Sequence, residues 1–130
     1  MTREQRTNKV SDGNGGEHMS YPGKTIQDWA EEVYKTAVEK GWWEDKDRNF
    51  GETIALMHSE LSEALEEWRD DKPSYYDVDG KPEGWAIELM DCLIRILDFL
   101  EHKELDIGLL LRVKVDYNKT RSYRHGGKRA

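Results

Sequence analysis

The segment from Gly84 to Leu100 is apolar on nearly every side of a helical wheel, yet it carries four charges on one narrow stripe. At 3.6 residues per turn, Glu88, Asp91, Arg95 and Asp98 fall within an arc of roughly 80°. The rest of the wheel is Trp, Ala, Ile, Leu, Met, Cys and Phe. Such a helix belongs in a core, and carboxylates in a core must be paired or bound to a cation. An upstream segment carries Glu60 and Glu63 at the same i, i+3 spacing. The chain is therefore expected to set acidic helix faces side by side, and an all-α fold follows.

The 130 residues suffice for one domain with a real core. Net charge is −7, which argues against a nonspecific nucleic-acid binder, and no basic stripe covers a whole face. The charge is uneven: residues 112–130 hold seven Arg and Lys against one Asp. Cys92 is the single cysteine, so no intrachain disulfide forms; it is read as core filler in a reducing compartment. The N-terminus lacks an apolar signal region, and no apolar run approaches the ~20 residues of a membrane span. A cytoplasmic protein without membrane partners is the expectation.

Residues 1–22 are polar and Gly-rich without periodicity, and read as a disordered or loosely packed tail. The domain proper is expected over 23–123, with 124–130 a flexible basic tail. Thr25 reads as the N-cap of a first helix, with Asp28 completing a capping box, and Lys40-Gly41 as its stop. A second helix is expected from about Asn49 to Asp70, its apolar stripe running Phe50, Ile54, Met57, Leu61, Ala64, Leu65 and Trp68. A loop over 71–81 precedes a third helix, with Pro82 in its first turn and its end near Lys103. The fourth starts at Asp106 and is expected to reach about Tyr123. Nothing alternates at period two for long enough to predict a strand.

Two carboxylates from each of two helices, Glu60 and Glu63 with Glu88 and Asp91, make an all-oxygen cluster. Hard oxygen donors favour Mg²⁺, with Mn²⁺ as a substitute, over zinc. A di-iron bundle would show Glu-x-x-His, and His58 is not at that spacing from either glutamate. The plainer readings are a solvated acidic face for Glu60 and Glu63, and an Asp91–Arg95 ion pair at i, i+4. On the fourth helix, Ile107, Leu110 and Leu111 share a face with Lys114, Asn118 and Arg121. Those cations suit phosphate oxygens, unless they serve only the negative end of the helix dipole. Metal-binding carboxylates with phosphate-binding cations describe a polyphosphate hydrolase.

These motifs resemble the all-α nucleoside triphosphate pyrophosphohydrolases of the MazG-like family, in their short phage and bacterial form. The family pattern of Glu-Glu-x-x-Glu followed by Glu-x-x-Asp is matched by Ser59-Glu60-Leu61-Ser62-Glu63 and Glu88-Leu89-Met90-Asp91, with Ser59 in place of the first glutamate. Its Lys-x-x-x-Asn-x-x-Arg element is matched by Lys114, Asn118 and Arg121. The resemblance covers about residues 24–130. It implies a four-helix MazG-like bundle completed by oligomerisation, as a homodimer or homotetramer. It implies hydrolysis of a (d)NTP between the α and β phosphates to (d)NMP and pyrophosphate. Glu60, Glu63, Glu88 and Asp91 would be the Mg²⁺ ligands, with Glu63 and Glu60 catalytic. Lys114, Asn118, Arg121 and Lys128 would bind phosphate. Trp29, Trp42, Trp43 and Phe50, in or near the first loop, are candidates to stack on the base, although core packing suits each of them as well. Two alternatives stand beside this reading: the same fold acting on another nucleotide such as phosphoribosyl-ATP, and a non-catalytic helical interaction module.

Overall fold

A reciprocal capping box opens the first helix: Thr25 Oγ1 accepts from the Asp28 amide at 3.1 Å, and Asp28 Oδ2 accepts from the Thr25 amide at 2.8 Å. The computed structural model describes residues 9–11, 17–19, 23–45 and 48–124, and Lys128 with the rest of 125–130 lies outside them. Within the described residues the order is β1 (Lys9–Ser11), β2 (Glu17–Met19), α1 (Ile26–Glu39), α2 (Phe50–Arg69), β3 (Tyr76–Val78), β4 (Lys81–Glu83), α3 (Trp85–His102) and α4 (Ile107–Thr120). The protein is predominantly helical, as the sequence leads one to expect. No helix among the described residues is long and apolar enough to cross a membrane.

The absence of strands is corrected. β1 and β2 pair antiparallel, with Lys9 opposite Met19, inside the stretch read as an irregular tail. A second hairpin spans the expected loop over 71–81 and the start of the expected third helix, with Tyr76 facing Glu83 and Val78 facing Lys81. Asp79 and Gly80 form its two-residue turn, both at positive φ (52° and 86°), and the Gly80 amide donates to Asp77 Oδ1 at 2.9 Å. Two left-handed residues in succession give the turn whose twist matches paired strands, and Asp-Gly is a preferred pair for it. Pro82 therefore lies in β4 rather than in a helix, and α3 begins three residues later. α4 also stops early, at a C-cap on Arg121 with extended backbone (φ −72°, ψ 148°).

The chain divides into two units, residues 1–24 with 54–93 and residues 25–53 with 94–130. The first contains the β3–β4 hairpin and buries Met57, Ala64 and Cys92, the last a free thiol serving as core filler. Trp68 and Trp85 meet edge to face there, with ring centroids 5.2 Å apart. Gly84 joins β4 to α3 at φ +119°, and its backbone lies so close to Ser74 that the Ala86 amide donates to the Ser74 carbonyl at 3.1 Å.

In the second unit Ala30, Leu97 and Ile107 form the core, with Ile26 and Leu100 packed on it. Gln27 ties α1 to both neighbours: its Nε2 donates to Glu101 Oε2 at 2.5 Å, and its Oε1 accepts from the Ile107 amide at 3.1 Å. Asp106 caps α4 by accepting from the Leu109 amide, as its sequence position suggests.

α3 is not covered on all sides, as its nearly all-apolar wheel leads one to expect. Glu88 and Asp98 are buried, both 9% exposed, whereas Met90 and Ile94 on its apolar flank are 48% and 45% exposed. Cover falls on Glu88 and Asp98 together with Cys92 and Leu97, and part of the apolar flank is left in solvent.

Candidate metal centre

The acidic residues that the sequence singles out converge in the first unit. α2 presents Glu60 and α3 presents Glu88 and Asp91, and each offers a carboxylate oxygen within 4.8 Å of the other two. Glu60 and Glu88 are buried and Asp91 is half-buried. Helical spacing explains the pairing on α3, since residues three apart occupy one face. Oxygens at this separation can converge on one divalent cation after small rotamer changes. A donor set of carboxylates alone, without sulfur or imidazole, fits a hard cation.

Burial raises the Glu88 pKa from 4.5 to about 7, helped by a hydrogen bond with Glu63 and by the charges of Glu63, Asp91 and Glu60. At neutral pH Glu88 thus retains a proton for part of the time, and can donate it to Glu63. Glu63 itself is exposed on α2 and joins the group through that bond. Crowded carboxylates that hold a proton against repulsion are those a divalent cation would relieve most.

The hairpin adds Tyr76, Lys81 and Glu83, which the sequence reading missed, and joins them to Glu67 on the acidic flank of α2. Glu83 on β4 and Glu67 on α2 each bring an oxygen within 4.8 Å of the other and of Glu88, so Glu88 belongs to two acidic triads. Tyr76 on β3 donates its phenol to both Glu67 oxygens, at 3.1 and 2.9 Å. That hydrogen bond leads the causes that push the Tyr76 pKa up to about 12. Lys81 pairs with Glu83, Nζ to Oε1 2.8 Å. Asp79-Gly80 is the signal that would have found this group, because it sets Tyr76 opposite Glu83 in the hairpin register.

The remaining candidates belong to the second unit. Lys114, Asn118 and Arg121 are all exposed rather than turned to an interior; Ile107 is the buried residue of α4. Lys114 and Arg121 both lie over the Tyr117 ring, 5.1 and 5.8 Å from its centroid. Trp43 is stacked on His102, centroids 3.7 Å apart and planes 10° from parallel, with the Arg48 guanidinium 4.6 Å from its centroid. Its Nε1 donates to Asp98 Oδ1 at 2.9 Å, which gives the last acid of the α3 stripe a structural partner. Burial raises the Asp98 pKa, against the opposing pull of Trp43, Arg48, His102 and Arg95. Phe50 is tilted against Phe99 at 5.3 Å and is 60% exposed, Trp29 is 39% exposed and Trp42 70%.

Comparisons with protein-family models, with curated proteins and with solved structures find no match to this chain.

Proposed function

We propose that the protein is a Mg²⁺-dependent nucleoside triphosphate pyrophosphohydrolase of MazG-like type, cleaving (d)NTP between the α and β phosphates. The observation that carries this reading is the convergence of Glu60, Glu88 and Asp91 within 4.8 Å, with Glu63 hydrogen-bonded to Glu88. Those four positions are the ones the acidic motifs share with the family. Bound there, Mg²⁺ supplies neutralisation of the charge on the phosphate oxygens. Glu60, Glu88 and Asp91 would hold it, and Mn²⁺ offers the same preference for oxygen.

Glu63 is the general base in this reading. It is exposed, so water reaches it, and its bond to Glu88 fixes its carboxylate against α3. Glu60, on the same face of α2, assists from its buried position. Lys114, Asn118 and Arg121 are assigned to the phosphates from the motif alone. Phe50, Trp29 and Trp42 retain exposed ring surface for a base, whereas Trp43 is already engaged by His102 and Asp98.

Self-association of the chain as a homodimer or homotetramer completes the bundle in this reading. Leu61 and Leu65 on α2, and Leu109, Leu110 and Leu111 on α4, are each about half exposed, more apolar helix surface than a monomer ordinarily leaves in water.

Pyrophosphate release from a panel of ribo- and deoxyribonucleoside triphosphates, with and without Mg²⁺, tests the activity. Wild type is expected to release pyrophosphate with Mg²⁺ only, and Glu63→Gln and Asp91→Asn to lose it with helical content intact. No turnover of any nucleotide with Mg²⁺ or Mn²⁺ refutes the reading.

A further inference from the structure

Lys81 opens β4 two residues before Glu83, so the two side chains share a face of the hairpin. Its Nζ is 2.8 Å from Glu83 Oε1, and Glu83 in turn offers an oxygen within 4.8 Å of one from Glu88. The ammonium also lies in the field of Glu88 and Asp91, two carboxylates of the proposed metal site. Its side chain is 75% exposed, so it stands at the solvent edge of the acidic group.

The backbone around it is held on three sides. Val78 pairs with Lys81 across the Asp79-Gly80 turn, Tyr76 ties β3 to Glu67, and Gly84 brings the end of β4 against Ser74. Glu83 is largely covered, its side chain 19% exposed, but a pair whose cation stands in solvent contributes little to stability, so Lys81 leaves it at small cost. A four-carbon stem lets the ammonium leave Glu83 without disturbing the hairpin. A polyphosphate approaching this site meets mostly carboxylates, and a cation at the rim offsets part of their repulsion.

We propose that Lys81 is an anion-binding side chain at the rim of the acidic site, exchanging Glu83 for a phosphate oxygen of a polyphosphate that binds together with a divalent cation. This deepens the hydrolase reading and rests on it for the cation site. It adds to phosphate recognition a hairpin residue that belongs to none of the sequence motifs.

Calorimetric titration of inorganic tripolyphosphate into the Mn²⁺-saturated full-length protein tests it, with Mn²⁺ affinity measured separately and helical content checked for each variant. Wild type is expected to bind, Lys81→Ala to bind on the order of tenfold more weakly, and Lys81→Arg to bind nearly as wild type. Lys72→Ala, which removes another exposed lysine of the same unit, is expected to change nothing, and Mn²⁺ affinity in Lys81→Ala to be undiminished. No binding by wild type, unchanged binding in Lys81→Ala, or equal losses in Lys81→Ala and Lys72→Ala overturns the proposal. Lys81-dependent binding in a protein that hydrolyses no nucleotide supports the anion site and defeats the hydrolase reading, so the two failures are distinct.

Discussion

Replacing Glu88 with glutamine is expected to make the metal-free protein more stable while removing its response to metal. Burial and the neighbouring carboxylates raise the Glu88 pKa from 4.5 to about 7, so the folded chain resists ionisation that the unfolded chain accepts freely. Wild type therefore keeps this contribution in full below pH 4.5 and loses it as pH rises through about 7. A difference of that size corresponds to about 3 kcal/mol for an isolated group. Because the repulsion is shared with Glu63 and Asp91, about 2 kcal/mol is the expected gain for Glu88→Gln at pH 8. In a chain of this length that raises Tm by about 6 to 10 °C. Glutamine keeps the shape and can still donate to Glu63, so packing changes little. Thermal unfolding of both proteins in a chelator from pH 4 to 9 reads the effect: the curves meet near pH 4 and diverge above it. Mg²⁺ at a hundred times its Kd then raises wild-type stability by about 2.7 kcal/mol and leaves the variant almost unmoved. Parallel pH curves for the two proteins would refute the account of a strained, cation-seeking cluster.

Two further outcomes follow from local geometry. In Gly84→Ala the new Cβ would lie 2.3 Å from the Ser74 carbonyl oxygen and 2.9 Å from that of Pro73, at φ +119°. Urea denaturation should show a loss of roughly 2–4 kcal/mol, and a loss below about 0.5 kcal/mol would mean that the hairpin does not need this close approach. Thr25→Ala removes one half of the α1 capping box and should lower stability by about 1 kcal/mol in the same assay, with Thr25→Ser recovering most of it.

Both hairpins escaped a reading that looked for alternating strands. Three residues carry too little period-two pattern to register, so the signal for β3 and β4 was the Asp79-Gly80 turn rather than the strands themselves. With the hairpin went Tyr76, Lys81 and Glu83, and so the wall that β3 and β4 add to the acidic site. The fourth helix failed differently: Lys114, Asn118 and Arg121 share a face by spacing, but spacing does not say whether that face is covered. It is exposed, and the helix ends before Arg121.

By itself the sequence determined what depends on neighbours along the chain. It set the helical character, the Thr25 and Asp106 caps, the stop at Lys40-Gly41 and the pairing of Glu88 with Asp91 on one face. These follow from backbone geometry and a 3.6-residue period, which need no knowledge of distant residues. Tertiary structure alone decided which side of α3 is covered. A wheel apolar on nearly every side implies cover on nearly every side, yet Met90 and Ile94 stand half exposed while Glu88 and Asp98 are buried along with Cys92 and Leu97. Burial depends on which partners an element meets: Glu60 and Glu63 for Glu88, and the Trp43 indole for Asp98, each contributed from more than twenty residues away in the chain.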